Sequence, residues 1–592
     1  MDRQAWIAVT LCVLGLIAWQ FYMTSHAPRI LPAPTAVAPG TEPGSSPAAS
    51  GASDAVSAGP APATGPEALE AKPVATQPSE AAPAFEEKIE TLANGDLELR
   101  LTNRGGGISE AHLLNHKSEN GEGVVVLNAK DRLPIGAFVS QPAAPSLPEF
   151  MVARQPDGSV QYERTTPDGL AVRKRFLFPA AAETKDNFAA EMQIDFRNNG
   201  AQVLANPPYF VALGSTLPVH PNDMTAYTRM VWYVNGKVKA IDVNWFPAQT
   251  YPVIGVEKRG ALKTYSETVS GTDWAGMSNQ FFTTLLTPLD AKGTEVWAKP
   301  FDVQRSPTQK LLGMEGAMGM PGFELQPGQA NTLRFQIYAG PKLYNRLAKL
   351  GHDEAEIMNF GMWKLVSEAL LNFMNLLHGW VRDYGVAIIL LTACVKAVLW
   401  PLQNKANKSM RHMSALAPKM QALKEKYKDD PTKMNQEVMK LYKEHGVNPV
   451  GGCLPMMIQI PIFFGLFSML GQAAELRNAS FLWVNDLSQP DTVAHIPGLG
   501  WPINILPLLM GASNVWLMQM TPKTGDAMQR RVLMFMPLIF LVFCYNFAAA
   551  LALYYTTQNL FTILQLWHNQ RQPLPVLEKA PPPAKRARKG RS

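Results

Sequence analysis

Between Val532 and Trp567 the chain runs for 36 residues without an Asp, Glu, Lys or Arg. One straight helix of that length would measure about 54 Å at 1.5 Å per residue, well beyond the ~30 Å hydrocarbon core of a bilayer. The run therefore reads as two short spans, 532–547 and 548–567, turning near Asn546-Phe547-Ala548. Further apolar runs lie at about 384–402, 453–473 and 501–520. One more stands apart at Trp6–Met23, 18 residues without a charge, long for the apolar part of a signal peptide and therefore read as a retained anchor. Charge between the runs orients them. Residues 403–450 carry ten Lys/Arg against five Asp/Glu, the 521–531 loop has Lys523, Arg530 and Arg531 against Asp526, and the final 14 residues hold six basic groups and no acid. The 474–500 loop has only Arg477 against Glu475, Asp486 and Asp491. Six spans threaded from a cytoplasmic N-terminus put every Lys/Arg-rich loop and both termini in the cytoplasm.

The 592 residues divide accordingly. Residues 1–27 form the N-terminal anchor. Residues 28–84 contain 12 prolines and almost no large apolar side chain, so they cannot bury enough surface to offset their ordering entropy, and they read as an extended tether. Residues 85–340 alternate apolar and polar positions in short runs, as at Leu97–Leu101, Ala171–Leu177, Met192–Phe196 and Thr332–Tyr338, divided by Gly, Pro, Asn and Asp. That pattern predicts a large antiparallel β-sandwich on the outer side of the membrane, the periplasm in a double-membraned bacterium. It shows no convergent catalytic group, and His112, His116 and His220 read as surface residues. Residues 341–380 hold a linker and an amphipathic helix over 357–380 lying in the membrane interface. The second span occupies 381–403. Residues 404–450 form a cytoplasmic helical hairpin, Asn404–Lys428 and Thr432–His445, turning at Asp429-Asp430-Pro431. Four spans fill 451–568, and 569–592 is a basic tail. The expected fold is thus a multi-domain membrane protein: an α-helical bundle of five core transmembrane helices, an N-terminal anchor helix, and a large all-β sandwich domain outside.

All four cysteines (Cys12, Cys394, Cys453, Cys544) fall in apolar runs, which excludes a disulfide framework and gives no metal-ligand spacing. No GxxxxGK[ST] loop is present, so no nucleotide or other cofactor is expected. The hairpin's basic residues are interspersed with acids, which argues against specific nucleic-acid binding; anionic headgroups or a ribosome suit them better.

Lys396 is the anomaly. It lies about 13 residues into its span, roughly 18–20 Å from the outer end. Two readings stand. The ammonium snorkels to the cytoplasmic interface, or the helices enclose a hydrated cavity open to the cytoplasm. The spans offer no Asp or Glu partner, but they offer Thr392, Gln459, Ser468, Asn514, Thr556, Thr557, Gln558, Asn559, Thr562 and Gln565 to line such a cavity. It would suit a transported solute or the polar tail of another membrane protein equally well.

A resemblance separates them. Val447–Pro455, VNPVGGCLP, leads into Met456–Phe463, MMIQIPIF, which closely resembles the NPxGGCxPxxxQxPIF signature of the YidC-type membrane protein insertases. Glu475-Leu476-Arg477, Leu506–Gly511, Met534–Pro537, Leu553-Tyr554-Tyr555 and Asn559-Leu560 extend the match, and the layout before residue 340 follows the Gram-negative form. The resemblance implies a non-enzymatic insertase of the inner membrane. Its five core helices would surround a hydrophilic groove, closed outside and open to cytoplasm and lipid. A positive residue in the second span would attract the translocating segment. The family usually places arginine there; Trp400-Pro401-Leu402 downstream aligns Lys396 with it, keeping the charge and losing the bidentate fork. By the same matching Thr392, Gln459, Tyr555 and Thr562 should face the groove, and Ile460 and Phe463 should touch the incoming apolar segment. Implied partners are nascent membrane proteins, the Sec translocon, membrane lipids, and a ribosome reached through the hairpin and tail. A polytopic small-solute transporter with a buried lysine site is the alternative. A third reading, a carbohydrate-binding or carbohydrate-modifying sandwich on an anchor, lacks the convergent His and carboxylates it would need.

Overall fold

In the computed structural model the described residues are 85–571, apart from 119–122, 130, 140–145, 180–187, 222, 251–256, 307–308, 429, 448–453, 499 and 522–526. The expected anchor, the tether, residues 572–592 of the basic tail, Asn448–Cys453 of the signature and residues 522–526 of the 521–531 loop lie outside them.

Two antiparallel sheets build the first half. The smaller has four strands in sequential order, Ile89–Ala93 (β1), Leu97–Thr102 (β2), Gly107–Lys117 (β3) and Val124–Leu127 (β4). The larger has 13: Phe138–Val139 (β5), Met151–Arg154 (β6), Val160–Thr165 (β7), Leu170–Leu177 (β8), Ala189–Asn198 (β9), Tyr209–Thr216 (β10), Arg229–Val234 (β11), Lys237–Asp242 (β12), Tyr265–Ser278 (β13), Phe282–Pro288 (β14), Gly293–Ser306 (β15), Gln309–Met320 (β16) and Ala330–Pro341 (β17). Its order is β5-β10-β16-β15-β13-β14-β17-β9-β8-β7-β6, with β11 joining β13 and β12 joining β11. Alternation explains the pairing of faces. Leu97, Leu99 and Leu101 of β2 point inward and share one core with Tyr162, Phe176, Met192 and Ile194 of the large sheet. The expected sandwich is therefore present but lopsided. One inward position breaks the pattern: Lys174, in the register of Leu170, Val172 and Phe176, is fully buried. Its Nζ donates to the Gly105 and Gly136 carbonyls at 2.9 and 2.7 Å and lies 3.8 Å from the Phe138 ring centroid. Burial holds its ammonium well below the usual lysine range.

The helical half begins later than the apolar spacing predicts. Residues 354–363 form two 3-10 turns, and the amphipathic helix spans Lys364–Val381 (α1). Ser367, Leu370, Leu371, Met374 and Leu377 face inward, while Leu365, Leu376 and Trp380 stay exposed. Arg382 closes α1 in the left-handed region (φ 56°), and the Asp383 carboxylate then accepts the Val386 N–H at 2.9 Å to start the next helix. That helix, Tyr384–Ala415 (α2), runs 32 residues straight through Pro401. At about 48 Å it outlasts a ~30 Å hydrocarbon core, so the expected boundary at 403 is overrun by three turns. Among the described residues it alone is long and apolar enough to count as a candidate span; 459–470 and 505–520 are shorter apolar helices.

The hairpin's expected first arm is also divided. It belongs to α2 up to Ala415, then breaks at Leu416, because Pro418 sits in the first turn of Ala417–Lys426 (α3) and cannot donate to a helix arriving from before. The second arm, Pro431–Glu444 (α4), starts where expected, with the Asp430 carboxylate accepting the Lys433 N–H. Met420 packs inside the hairpin against Tyr442, whereas Met439 is exposed. Leu454–Leu470 (α5), Ile505–Met520 (α6), Ala527–Cys544 (α7) and Ala549–Gln570 (α8) complete the bundle. The charge-free run is broken at 545–548, as its length requires.

Candidate functional site

The polar site is assembled on α8. Tyr554, Gln558, Thr562, Gln565 and Asn569 recur at spacings of four, four, three and four residues, which places them on one helix face. Two other helices present polar groups to that face. From α5, Gln459 donates to Gln558 Oε1 at 3.0 Å and to the Tyr554 hydroxyl at 3.3 Å. From α2, Lys396 Nζ donates to Thr562 Oγ1 at 2.8 Å. Two turns and more further along α2, Asn404 Oδ1 accepts from Gln565 and Asn569 at 2.8 and 3.1 Å, and Arg411 donates to the Asn569 carbonyl.

Thr562 is the hinge of this network. Its hydroxyl donates to the Gln558 carbonyl one turn back at 2.8 Å, so its lone pairs are free for the ammonium. A hydrogen-bonded chain therefore runs from Lys396 through Thr562 and Gln558 to Gln459, across three helices. Lys396 is only 6% exposed, and no carboxylate pairs with it among the described ion pairs. The cation rests on a neutral hydroxyl. The ammonium does not stand in open water; it turns to α8.

The remaining expected residues distribute around this chain. Thr392, one turn before Lys396 on α2, is buried and donates to the Ile388 carbonyl at 2.7 Å, so its hydroxyl is committed to its own helix. Phe463 and Tyr555 form an aromatic patch, with ring centroids 5.5 Å apart, that Phe540 of α7 joins at 6.1 and 5.0 Å. Ile460, between Gln459 and this patch on α5, is 43% exposed. The polar chain and an apolar, partly open rim thus lie side by side on α5 and α8. Asn404, Tyr554 and Asn569 were missed in the sequence, although the spacing along α8 marks the last two.

A second constellation joins the β-domain to the bundle's outer end. Arg229 of β11 donates to the Ile357 carbonyl at 3.0 Å and to Gln472 Oε1 at 3.4 Å, and Lys342 Nζ reaches the same oxygen at 3.4 Å. Burial and the neighbouring Arg229 guanidinium hold Lys342 well below the usual lysine range. Gln280 donates to the Gly471 carbonyl at 2.8 Å. His220, expected on the surface, is buried here: its Nδ1 lies 3.1 Å from Asp223 Oδ1 and 2.9 Å from Gln489 Nε2 of the loop after α5. His116 packs between the Phe188 and Phe282 rings. The context of His220 misled because its turn faces the loop after α5 rather than solvent; His116 lies at the end of β3, against rings of its own domain.

Comparison with known proteins bears on both halves. Residues 376–574 match the family described as 60Kd inner membrane protein, and residues 90–373 match the one described as YidC periplasmic domain. The chain is similar to the membrane protein insertase YidC of Pelobacter propionicus, 31% identical over 517 residues that cover 83% of this chain and 88% of that protein. It is likewise similar to the membrane protein insertase YidC of Syntrophus aciditrophicus, 30% identical over 491 residues, 80% and 82% of the two chains. Among solved structures, an active YidC insertase with its first transmembrane domain resolved aligns over 84% of this chain and 96% of that one, at 19% identity and a TM-score of 0.35.

Proposed function

This chain belongs to the YidC family of membrane protein insertases, and from that premise we propose that Lys396 and the polar face of α8 receive the hydrophilic segment of a nascent membrane protein. The observation that carries the proposal is the chain Lys396–Thr562–Gln558–Gln459 beside the Phe463–Tyr555 patch. A polar segment in hydrocarbon loses its hydration without replacement. Alongside α8 it meets amides and hydroxyls in place of that water, and a carboxylate meets the ammonium. The Lys396–Thr562 bond is readily exchanged, because an ionised acceptor binds an ammonium more strongly than a hydroxyl does.

The attached apolar segment leaves past Ile460 and Phe463 into lipid, a transfer worth about 25 cal/mol per Å² of apolar surface removed from water. No nucleotide is needed. An acidic tail moved outward also gains about 2.3 kcal/mol per charge for each 100 mV of membrane potential. In this reading α2, α5, α6, α7 and α8 are the core spans, both termini are cytoplasmic, and the hairpin α3–α4 with the basic tail meets the ribosome. The protein works alone or beside the Sec translocon. A small-solute transporter has no support among the relatives. Site-specific crosslinking from Phe463 and Tyr555 to a stalled nascent membrane protein tests the route: adducts from both positions are expected, and their absence while the chain still inserts would move the route elsewhere.

A further inference from the structure

The loop between α5 and α6 leaves five large apolar side chains uncovered among its described residues: Leu482, Trp483, Val493, Ile496 and Trp501. Two of them form the tip of a tight turn. The Phe481 N–H donates to the Val484 carbonyl at 2.8 Å, and the Val484 N–H donates back to the Phe481 carbonyl at 2.9 Å, with Leu482 and Trp483 between them. Leu482 sits there in the left-handed region (φ 53°) and is 76% exposed. Gly, Asn or Asp adopts that backbone at lower cost. Local folding gives no reason for a leucine held outward in a strained turn; a surface that the side chain meets does.

The other three belong to a hairpin. Thr492–His495 (β18) pairs with Pro502–Asn504 (β19), and no third strand joins them among the described residues. All four residues of β18 are exposed, and Trp501 is 67% exposed. A two-stranded hairpin with no apolar face covered is marginal in water. This one is nevertheless pinned at its base. Asn504 Nδ2 donates to the Tyr545 carbonyl at 2.8 Å, the Tyr545 hydroxyl donates to the Pro502 carbonyl at 2.8 Å, and the Thr492 hydroxyl bonds Asn504 Oδ1 at 2.7 Å. Buried Asp491 joins the two tips: its Oδ2 accepts from Trp483 Nε1 at 3.1 Å and from the Leu506 N–H at 2.7 Å. The indole N–H of Trp483 is thereby satisfied while its ring stays exposed.

The position of the tips names what covers them. The Phe481 ring packs against Gly385 in the first turn of α2, and Tyr545 directly follows α7, so the loop lies across the outer ends of two helices. Trp501 precedes the first residue of α6 by four positions, at most about 14 Å of chain. Exposed Trp380 precedes α2 by the same four. From 478 to 504 there is no Lys or Arg; beside His495 the titratable groups are Asp491 and Asp486, whose Oδ1 accepts from the Ser488 N–H and hydroxyl. Nothing cationic is present to recognise a phosphate. Uncharged apolar groups with tryptophan, set at the ends of spans, match the band between headgroups and hydrocarbon where tryptophan concentrates. We propose that Leu482, Trp483, Val493, Ile496 and Trp501 form a fixed apolar rim sunk into the outer leaflet, in contact with the glycerol esters and upper acyl chains of phospholipid. The proposal rests on the assignment of α2, α6 and α7 as spans and is independent of the route a substrate takes.

The test uses the unmodified full chain in phosphatidylcholine liposomes containing a phospholipid with a diazirine high on its acyl chain. After photolysis, peptide mapping should place lipid adducts at Leu482–Trp483 and at Trp501, as well as at Val542 and Phe543 on the exposed face of α7, with none at Val126, exposed on the outer domain. Adducts on α7 without the loop overturn the rim and leave the spans; adducts on neither overturn both. Crosslinks between two copies through Leu482 or Trp501 in place of lipid adducts, or labelling of Val126 as strong as that of the loop, also overturn the rim. Trp501→Asp sets a charge in the boundary and should cut loop adducts roughly fivefold or more, while Trp501→Phe should keep them at the wild-type level. Loop labelling unchanged by Trp501→Asp overturns the proposal.

Discussion

Thr562→Val removes one oxygen from the polar chain and nearly nothing else. Thr562 Oγ1 is the acceptor for Lys396 Nζ at 2.8 Å, and the lysine is 6% exposed, so bulk water does not replace the lost partner. A hydrogen bond to a buried charged group contributes about 1.5–3 kcal/mol, and an unsatisfied one is penalised by at least as much. We expect Thr562→Val to lower unfolding free energy by about 2 kcal/mol, with Thr562→Ser close to wild type because it restores the oxygen. SDS or thermal denaturation of the purified protein in detergent reads the difference. Insertion should move in the other direction. Thr562 and an incoming carboxylate compete for one ammonium, so proteoliposomes containing Thr562→Val should insert an acidic-tailed substrate at least as fast as wild type. Stability unchanged to within about 0.5 kcal/mol, or an insertion defect as deep as that of Lys396→Leu, would refute the competition.

Four further outcomes follow from the same contacts. A carboxylate that takes the place of Thr562, with its charge about 4 Å from the Lys396 ammonium, gains about 4 kcal/mol at an effective dielectric of ~20, so Lys396→Glu should slow insertion of acidic-tailed substrates by at least tenfold while Lys396→Arg stays near wild type; equal rates for the two variants in a reconstituted assay remove the electrostatic role. Gln472→Leu strips the shared acceptor from Arg229 and Lys342 and should loosen the outer domain from the bundle, read as faster amide exchange around 471–473 and 342; unchanged exchange counts against that docking. Lys342 has a folded pKa below its unfolded value of about 10.5. Between those two values the unfolded chain binds more protons, so stability should rise with pH across that window; Gln472→Glu, which sets a carboxylate between the two cations, should flatten the slope in melts taken at pH 7 and 9.5. A Cβ built on Gly385 would meet the Phe481 ring at 2.2 Å, so Gly385→Ala should cost about 1–3 kcal/mol through overpacking, measured by thermal denaturation.

Local chemistry made much of this protein legible from its residues alone. Period-two alternation located β2, β8, β9 and β17, because a strand's two faces are set by the backbone whatever lies beyond them. Charge asymmetry and span length forced the turn before Ala549 for the same reason: hydrocarbon thickness is a constant outside the chain. The signature around Gln459 carried the family. Boundaries fared less well. Pro401 was expected near a helix end, yet α2 passes through it and stops only where Pro418 begins a new helix.

The partners of individual side chains were decided by the tertiary structure. Lys396 meets Thr562 across 166 positions, and Gln459 meets Gln558 across 99. Lys174 occupies an apolar slot because the Gly105 and Gly136 carbonyls converge on it from loops 69 and 38 residues away. His220 is buried because the loop after α5 covers it. Periodicity reports which way a side chain points relative to its own backbone. Whether that direction ends in water, lipid or another element depends on packing between distant segments, and a one-dimensional pattern holds no distance between them.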